Sequence, residues 1–188
     1  NVFINNQEKP LWVGIHQNAQ NIAIVLEEDS EICFDDNNLC FTGKRNTEWR
    51  FLMNASGGCI FYTKQAGDLV ITREGSCNAS VRPVSGLQGV TIPVKARTYK
   101  QGIVRFRENN DLGSFNVIVQ ISLEDYMRGV SAVPESWPEA TIRAQVIASR
   151  SLAARSAMEV GSEKNFSEET KQRCHCNLYD DDSSQIFR

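Results

Sequence analysis

An α+β fold, with a β-rich N-terminal part and a mixed sheet packed on a central Ala-rich helix, follows from three features of this sequence. Short β-type runs separated by polar turns fill the chain from Leu11 to about Val94. Two further runs continue the pattern to residue 121, and a long alanine-rich helical pattern follows from Ser136. The chain accordingly divides into a β-rich part, 1–95, and a core part, 96–188.

The first runs are Trp12–Ile15, Ile22–Leu26, Trp49–Met53, Cys59–Tyr62 and Leu69–Thr72. Their breaks fall at Asp35–Asn38, Ser56–Gly58 and Glu74–Ser76, where Gly, Asn, Asp and Ser favour turns. Gly102–Phe106 and Phe115–Val119 flank Asn109–Gly113 as a hairpin, and the second strand leads directly into Leu123. A tight loop then precedes the helix. Ser136 caps it, Pro138 suits the first turn, and Glu139 completes an S-x-x-E box. Ala140, Ala144, Ile147, Ser151, Ala154 and Met158 recur at helical spacing, Ala148, Ala153 and Ala157 make much of the remaining circumference small so that the helix can be closely surrounded, Gly161 ends the helix, and 163–173 is a charged, solvent-facing stretch.

Composition narrows the function. With 188 residues the chain can bury one core of ordinary size; 41% hydrophobic and 23% charged residues are globular proportions. A net charge of -3 supplies no basic field for nucleic acid. No run approaches the about 18 apolar residues of a membrane span. The start at Asn1 without Met suits a leader or tag already removed. Six cysteines fall into local pairs, Cys33 with Cys40, Cys59 with Cys77 and Cys174 with Cys176, which favours disulfides and an extracytoplasmic location while leaving the connectivity open. Cys174, His175 and Cys176 also form a zinc-competent triplet, but zinc takes four ligands and no spaced Cys or His pair completes the set. No other cofactor is expected.

The run Ile121–Arg155, containing Leu123-Glu124-Asp125-Tyr126-Met127-Arg128-Gly129-Val130 and Ser136-Trp137-Pro138-Glu139, resembles the core of the stage II sporulation protein D and amidase-enhancer family. Cys174–Tyr179 and Ser183–Phe187 resemble that family's next motif block. The resemblance implies lytic transglycosylation of peptidoglycan glycan strands stripped of stem peptides, or modification of a cell-wall amidase. One Glu would protonate the glycosidic oxygen, and the muramic C6 hydroxyl would then attack the anomeric carbon, leaving a 1,6-anhydro end. A single carboxyl group serves as acid and then base, unlike the carboxylate pair of ordinary glycosidases.

Aligned on Gly129-Val130 and Ser136-Trp137-Pro138, the family Glu falls on Ala132. Alanine has no proton to give, so the chain as written lacks the acid, by engineered substitution or natural loss. Glu135 is a weak substitute, since the positive helix end beside it favours its charged form. Gln145, Arg150 and Ser151 match polar positions of the family helix, and Tyr179 and Gln185 would bring a ring and an amide to the same groove. Arg150 equally suits a loop carboxylate, Glu124 and Asp125 suit local caps, and Trp137 suits a packing staple or a sugar platform. His16 has no visible partner. The family domain usually runs on into further strands beyond such a block, so the core is expected to be incomplete at Arg188, an end that suits a trypsin-like nick. A non-catalytic glycan-binding or amidase-activating protein is the competing reading.

Overall fold

A computed structural model describes residues 3–4, 7–8, 10–36, 38–65, 68–109, 113–130, 136–160 and 165–181. Fifteen short or medium strands appear among them. They are β1 (Phe3–Ile4), β2 (Gln7–Glu8), β3 (Leu11–Ala19), β4 (Asn21–Leu26), β5 (Ser30–Phe34), β6 (Leu39–Gly43), β7 (Thr47–Met53) and β8 (Cys59–Gln65). Then follow β9 (Asp68–Gly75), β10 (Ala79–Pro83), β11 (Val90–Ile92), β12 (Arg97–Tyr99), β13 (Ile103–Asn109), β14 (Ser114–Ile121) and β15 (Leu178–Tyr179). The helices are α1 (Leu123–Gly129), α2 (Glu139–Val160) and α3 (Glu168–Arg173).

The α+β class holds. A seven-stranded sheet runs β15-β3-β14-β13-β10-β5-β6, and a six-stranded sheet runs β12-β11-β4-β7-β8-β9, with β1 and β2 as a separate pair. Within the larger sheet, β15 pairs parallel to β3 and the other neighbours are antiparallel, so this sheet is mixed. It takes strands from both sides of residue 95.

Alternation builds the core. Ile22, Ile24 and Leu26 on β4 are buried while Asn21 is exposed and Ala23 and Val25 are half-buried, as a period of two requires. The sheets meet through aromatic rings: Phe51 and Phe61 of the six-stranded sheet against Phe106, with centroids 4.3 and 5.3 Å apart, Phe51 against Phe115 at 4.8 Å, and Phe61 against Phe34 at 5.6 Å. Tilted and edge-to-face geometries of this kind add to the area they bury. Gly75 and Gly43 leave room beside this layer, since a Cβ on Gly75 would lie 2.6 Å from the Phe34 ring and one on Gly43 2.4 Å from Leu26.

Several strands extend past the sequence-based limits, and Glu74 and Gly75 belong to β9 rather than to a break. The larger correction concerns 123–129, expected as a tight loop. Ser122 Oγ accepts from the Asp125 N–H at 3.0 Å and donates to its carboxylate at 2.8 Å, and this cap opens α1 directly after β14.

All six cysteines are bonded in the local pairs, Cys33–Cys40, Cys59–Cys77 and Cys174–Cys176. The first joins residues directly opposite each other on β5 and β6. Because a cross-link restricts the unfolded chain more when it closes a longer loop, Cys59–Cys77, 18 residues apart, should dominate the three. Replacing both of these cysteines by alanine is expected to lower the unfolding free energy by about 3 kcal/mol in a urea titration. The same change at Cys174 and Cys176, two residues apart, should cost less.

Candidate functional site

β14 delivers the chain to α1, whose Leu123 and Tyr126 are buried in the core. Burial, and then the charge of Asp180, pushes the Tyr126 phenol well above its ordinary range, so it stays protonated. Glu124 points away from the core and meets Arg150 of α2, with Nη2 and Oε1 2.5 Å apart. This hydrogen bond holds the Glu124 carboxyl below its ordinary value. Arg150 is thereby the partner of a carboxylate at the head of α1, and Asp125 pairs with Arg128 at 2.8 Å. Asp125 does the local work that the sequence suggested, whereas Glu124 pairs across to another helix.

α2 begins at Glu139, later than the sequence implied. Residues 136–138 are not helical, the Pro138 carbonyl accepts the Ile142 N–H at 3.1 Å, and Glu139 pairs with Arg143 at 2.7 Å. The side chain expected to reach back to Ser136 is thus engaged one turn forward.

Of the residues that recur at helical spacing on α2, Ala154 packs partly against the core and the others are exposed. Ser149, Ala153 and Ala157 are the buried residues of α2, whereas Ile147 and Met158 are 67% and 65% exposed. Small side chains at four-residue spacing let the helix backbone approach the core closely, and the bulkier residues on the other side find no room there. The helix start is consequently not buried, and Trp137 is 48% exposed, while Trp12 and Trp49 are 3% and 1% exposed. Trp137 is no packing staple.

Gln145, Arg150 and Ser151 do not share one face. At 3.6 residues per turn they are spread around the helix, with Gln145 about 120° from Ser151 and about 140° from Arg150. Gln145 is half-buried, Arg150 leans on α1, and the Ser151 hydroxyl is exposed and donates to its own helix at the Ile147 carbonyl, 2.8 Å away. Tyr179 comes from β15, where it pairs with Gly14 of β3, and the Arg173 guanidinium lies 5.6 Å from its ring centre. Burial foremost raises the Tyr179 phenol. One face of that ring is therefore covered by a cation. Ala132, Glu135 and Gln185 lie outside the described residues.

Cys174 and Cys176 are buried, and their sulfurs are bonded to each other, so in this form neither is the thiolate a zinc ion requires. His175 between them adopts the left-handed region at φ 53°. Cys176 Sγ lies against β3, where a Cβ on Gly14 would meet it at 2.8 Å, so only glycine lets the motif block settle there. His16 on the same strand is held below its ordinary value, first by burial and then by Lys95.

The sequence reading missed Asp180. Its side chain is wholly buried, takes Arg97 Nη1 on both oxygens at 2.5 and 2.6 Å and accepts the Tyr99 hydroxyl at 2.8 Å. Burial, then the Asp180 charge, raises the Tyr99 phenol well out of its ordinary range. An acidic run after a tyrosine reads as a solvated turn, and partners more than eighty residues away leave no local mark.

Residues 111–188 match the family model of Stage II sporulation protein. The match spans both stretches whose motifs carry the resemblance. No curated protein and no solved structure matches the chain.

The Ser149 hydroxyl is buried without a hydrogen-bond partner. Ser149→Ala should leave stability unchanged or raise it by up to about 1 kcal/mol, because an unsatisfied polar group is removed from an alanine-lined contact. Thermal unfolding checks this, and a clear loss of stability contradicts the packing described.

Proposed function

We propose that the stage II sporulation protein domain of this chain, residues 111–188, is a peptidoglycan glycan-strand site whose parent activity is lytic transglycosylation, carried here without its general acid. The observation that carries this reading is the exposure of Trp137, five residues after Ala132 in the sequence and within the matched stretch. A half-exposed indole offers an apolar ring on which a pyranose can stack while its N–H bonds to a hydroxyl. Arg150, where α2 meets α1, would supply a polar contact.

The chemistry needs a proton for the glycosidic oxygen. Glu124 is the carboxylate tied to α2 nearby, and its pairing with Arg150 favours the ionised form, which suits orientation and not proton donation. With alanine at 132, the chain is expected to bind glycan without cutting it. That same alanine favours the second reading, a natural glycan-binding or amidase-activating protein. Bonded cysteines, and the absence of a membrane-crossing helix among the described residues, suit a protein working outside the cytoplasm at the cell wall.

The test uses denuded glycan strands with the chain as it stands and with Ala132→Glu. Under the proposal both bind, Trp137→Ala weakens both, and Ala132→Glu releases 1,6-anhydro products at a rate about 10² to 10⁴ above the parent. Binding by both proteins with no product from either selects the non-catalytic reading, and no binding by either overturns the glycan site.

A further inference from the structure

Asp180 is a fully buried carboxylate at the end of a two-residue strand, and a group so costly to dehydrate calls for a structural account. Its compensation is complete in kind: a guanidinium bridging both oxygens and a phenol hydroxyl on one of them. Both donors belong to β12, and Lys95, just before that strand, points Nζ at the Asp180 carbonyl from 3.5 Å. β12 is an edge strand of the six-stranded sheet and β15 an edge strand of the seven-stranded one, so the cluster fastens the two sheets together along one margin.

Main-chain bonds pin β15 at both ends. The Asn177 N–H donates to the Trp12 carbonyl at 2.7 Å, the Trp12 N–H donates to Asn177 Oδ1 at 2.9 Å, and the Asp180 N–H donates to the Gly14 carbonyl at 2.9 Å. Tyr179 lies between these pins, half-buried beneath Arg173. Two strand residues alone are a weak register constraint, so the orientation of Tyr179 depends on what holds its neighbours.

We propose that Asp180, clamped by Arg97 and Tyr99, is a positioning residue for glycan binding: it fixes Tyr179 and so makes the β-rich first part of the chain a necessary support of the sporulation-protein domain. The inference rests on the glycan reading above. Asp180→Asn removes the charge while keeping the shape, and Tyr99→Phe removes one hydrogen bond while keeping the ion pair.

The experiment combines amide hydrogen exchange with binding of denuded glycan strands in the full chain. Asp180→Asn is expected to speed exchange at residues 177–180 with little change in β7, and to weaken glycan binding roughly tenfold. Tyr179→Ala should weaken binding as well, and adding Asp180→Asn to it should cost little more, because both act through one side chain. Additive losses in the double variant overturn positioning through Tyr179, as does a parent-like affinity in Asp180→Asn. Should that variant not fold, Tyr99→Phe is read the same way, with an expected loss of about threefold. A parent chain that binds no glycan sinks the glycan reading and this inference with it, whereas a binding parent with an indifferent Asp180→Asn sinks the positioning role alone.

Discussion

The pairing of β14 with β3 carries the candidate site. β14 is buried along nearly its whole length, with Phe115, Val117, Val119 and Ile121 in the main core and Ile118 in a second cluster with Trp12 and Phe166 on the opposite face. A strand covered on both faces cannot slip by one residue without driving Asn116 or Gln120 into the aromatic layer. Its end at Ile121 therefore fixes where Ser122 caps α1. β3 takes its register from β14 and hands it on through parallel pairs from Val13 and Gly14 to Leu178 and Tyr179. The two motif stretches begin more than fifty residues apart in sequence, at Ile121 and Cys174, yet both hang from one pair of strands.

Charge is handled differently at the two ends of this support. Asp180 is dry and receives a cation and a phenol, an arrangement whose worth lies mainly in what its loss would leave uncompensated. Glu124 and Arg150 are partly solvated, so their contact orients α2 against α1 more than it stabilises either helix. The first is suited to holding a chain segment in one place. The second leaves a carboxylate and a guanidinium near solvent.

Much of the β-layer was legible because alternation of apolar and polar residues survives in Ile22–Leu26, Trp49–Met53 and Ile103–Phe106, and the disulfide partners were legible as local pairs. β10, β11 and β12 were not singled out, being three to five residues long and carrying Ser, Arg, Thr and Pro. On α2 the period was legible and the side that faces the core was not. Ile147 and Met158 outweigh Ser149, Ala153 and Ala157 on any apolar scale, yet helix-to-sheet approach selects for small side chains as well as apolar ones. α1 escaped notice because its Ser122–Asp125 cap reads equally well as the start of a loop. Asp180 escaped because its partners are remote.

Under the proposed reading, the balance between holding a glycan and cutting it turns on the residue at position 132. A general acid lowers the barrier by giving its proton as the bond breaks, and it adds little to the affinity for the intact sugar chain. Stacking on an exposed indole and hydrogen bonds from a helix act on the bound chain before any bond breaks, so alanine at 132 separates the two contributions. Under the glycan reading, an intact groove without its acid keeps its ground-state contacts while the chemical step loses its proton source. Neither Glu124 nor Asp180 is arranged to take that role over: Glu124 is held ionised by Arg150, and Asp180 is sealed between Arg97 and Tyr99. A carboxylic acid able to serve would need an environment that raises its pKa, such as an apolar wall or a like charge, and each of these carboxylates has been given a cation instead.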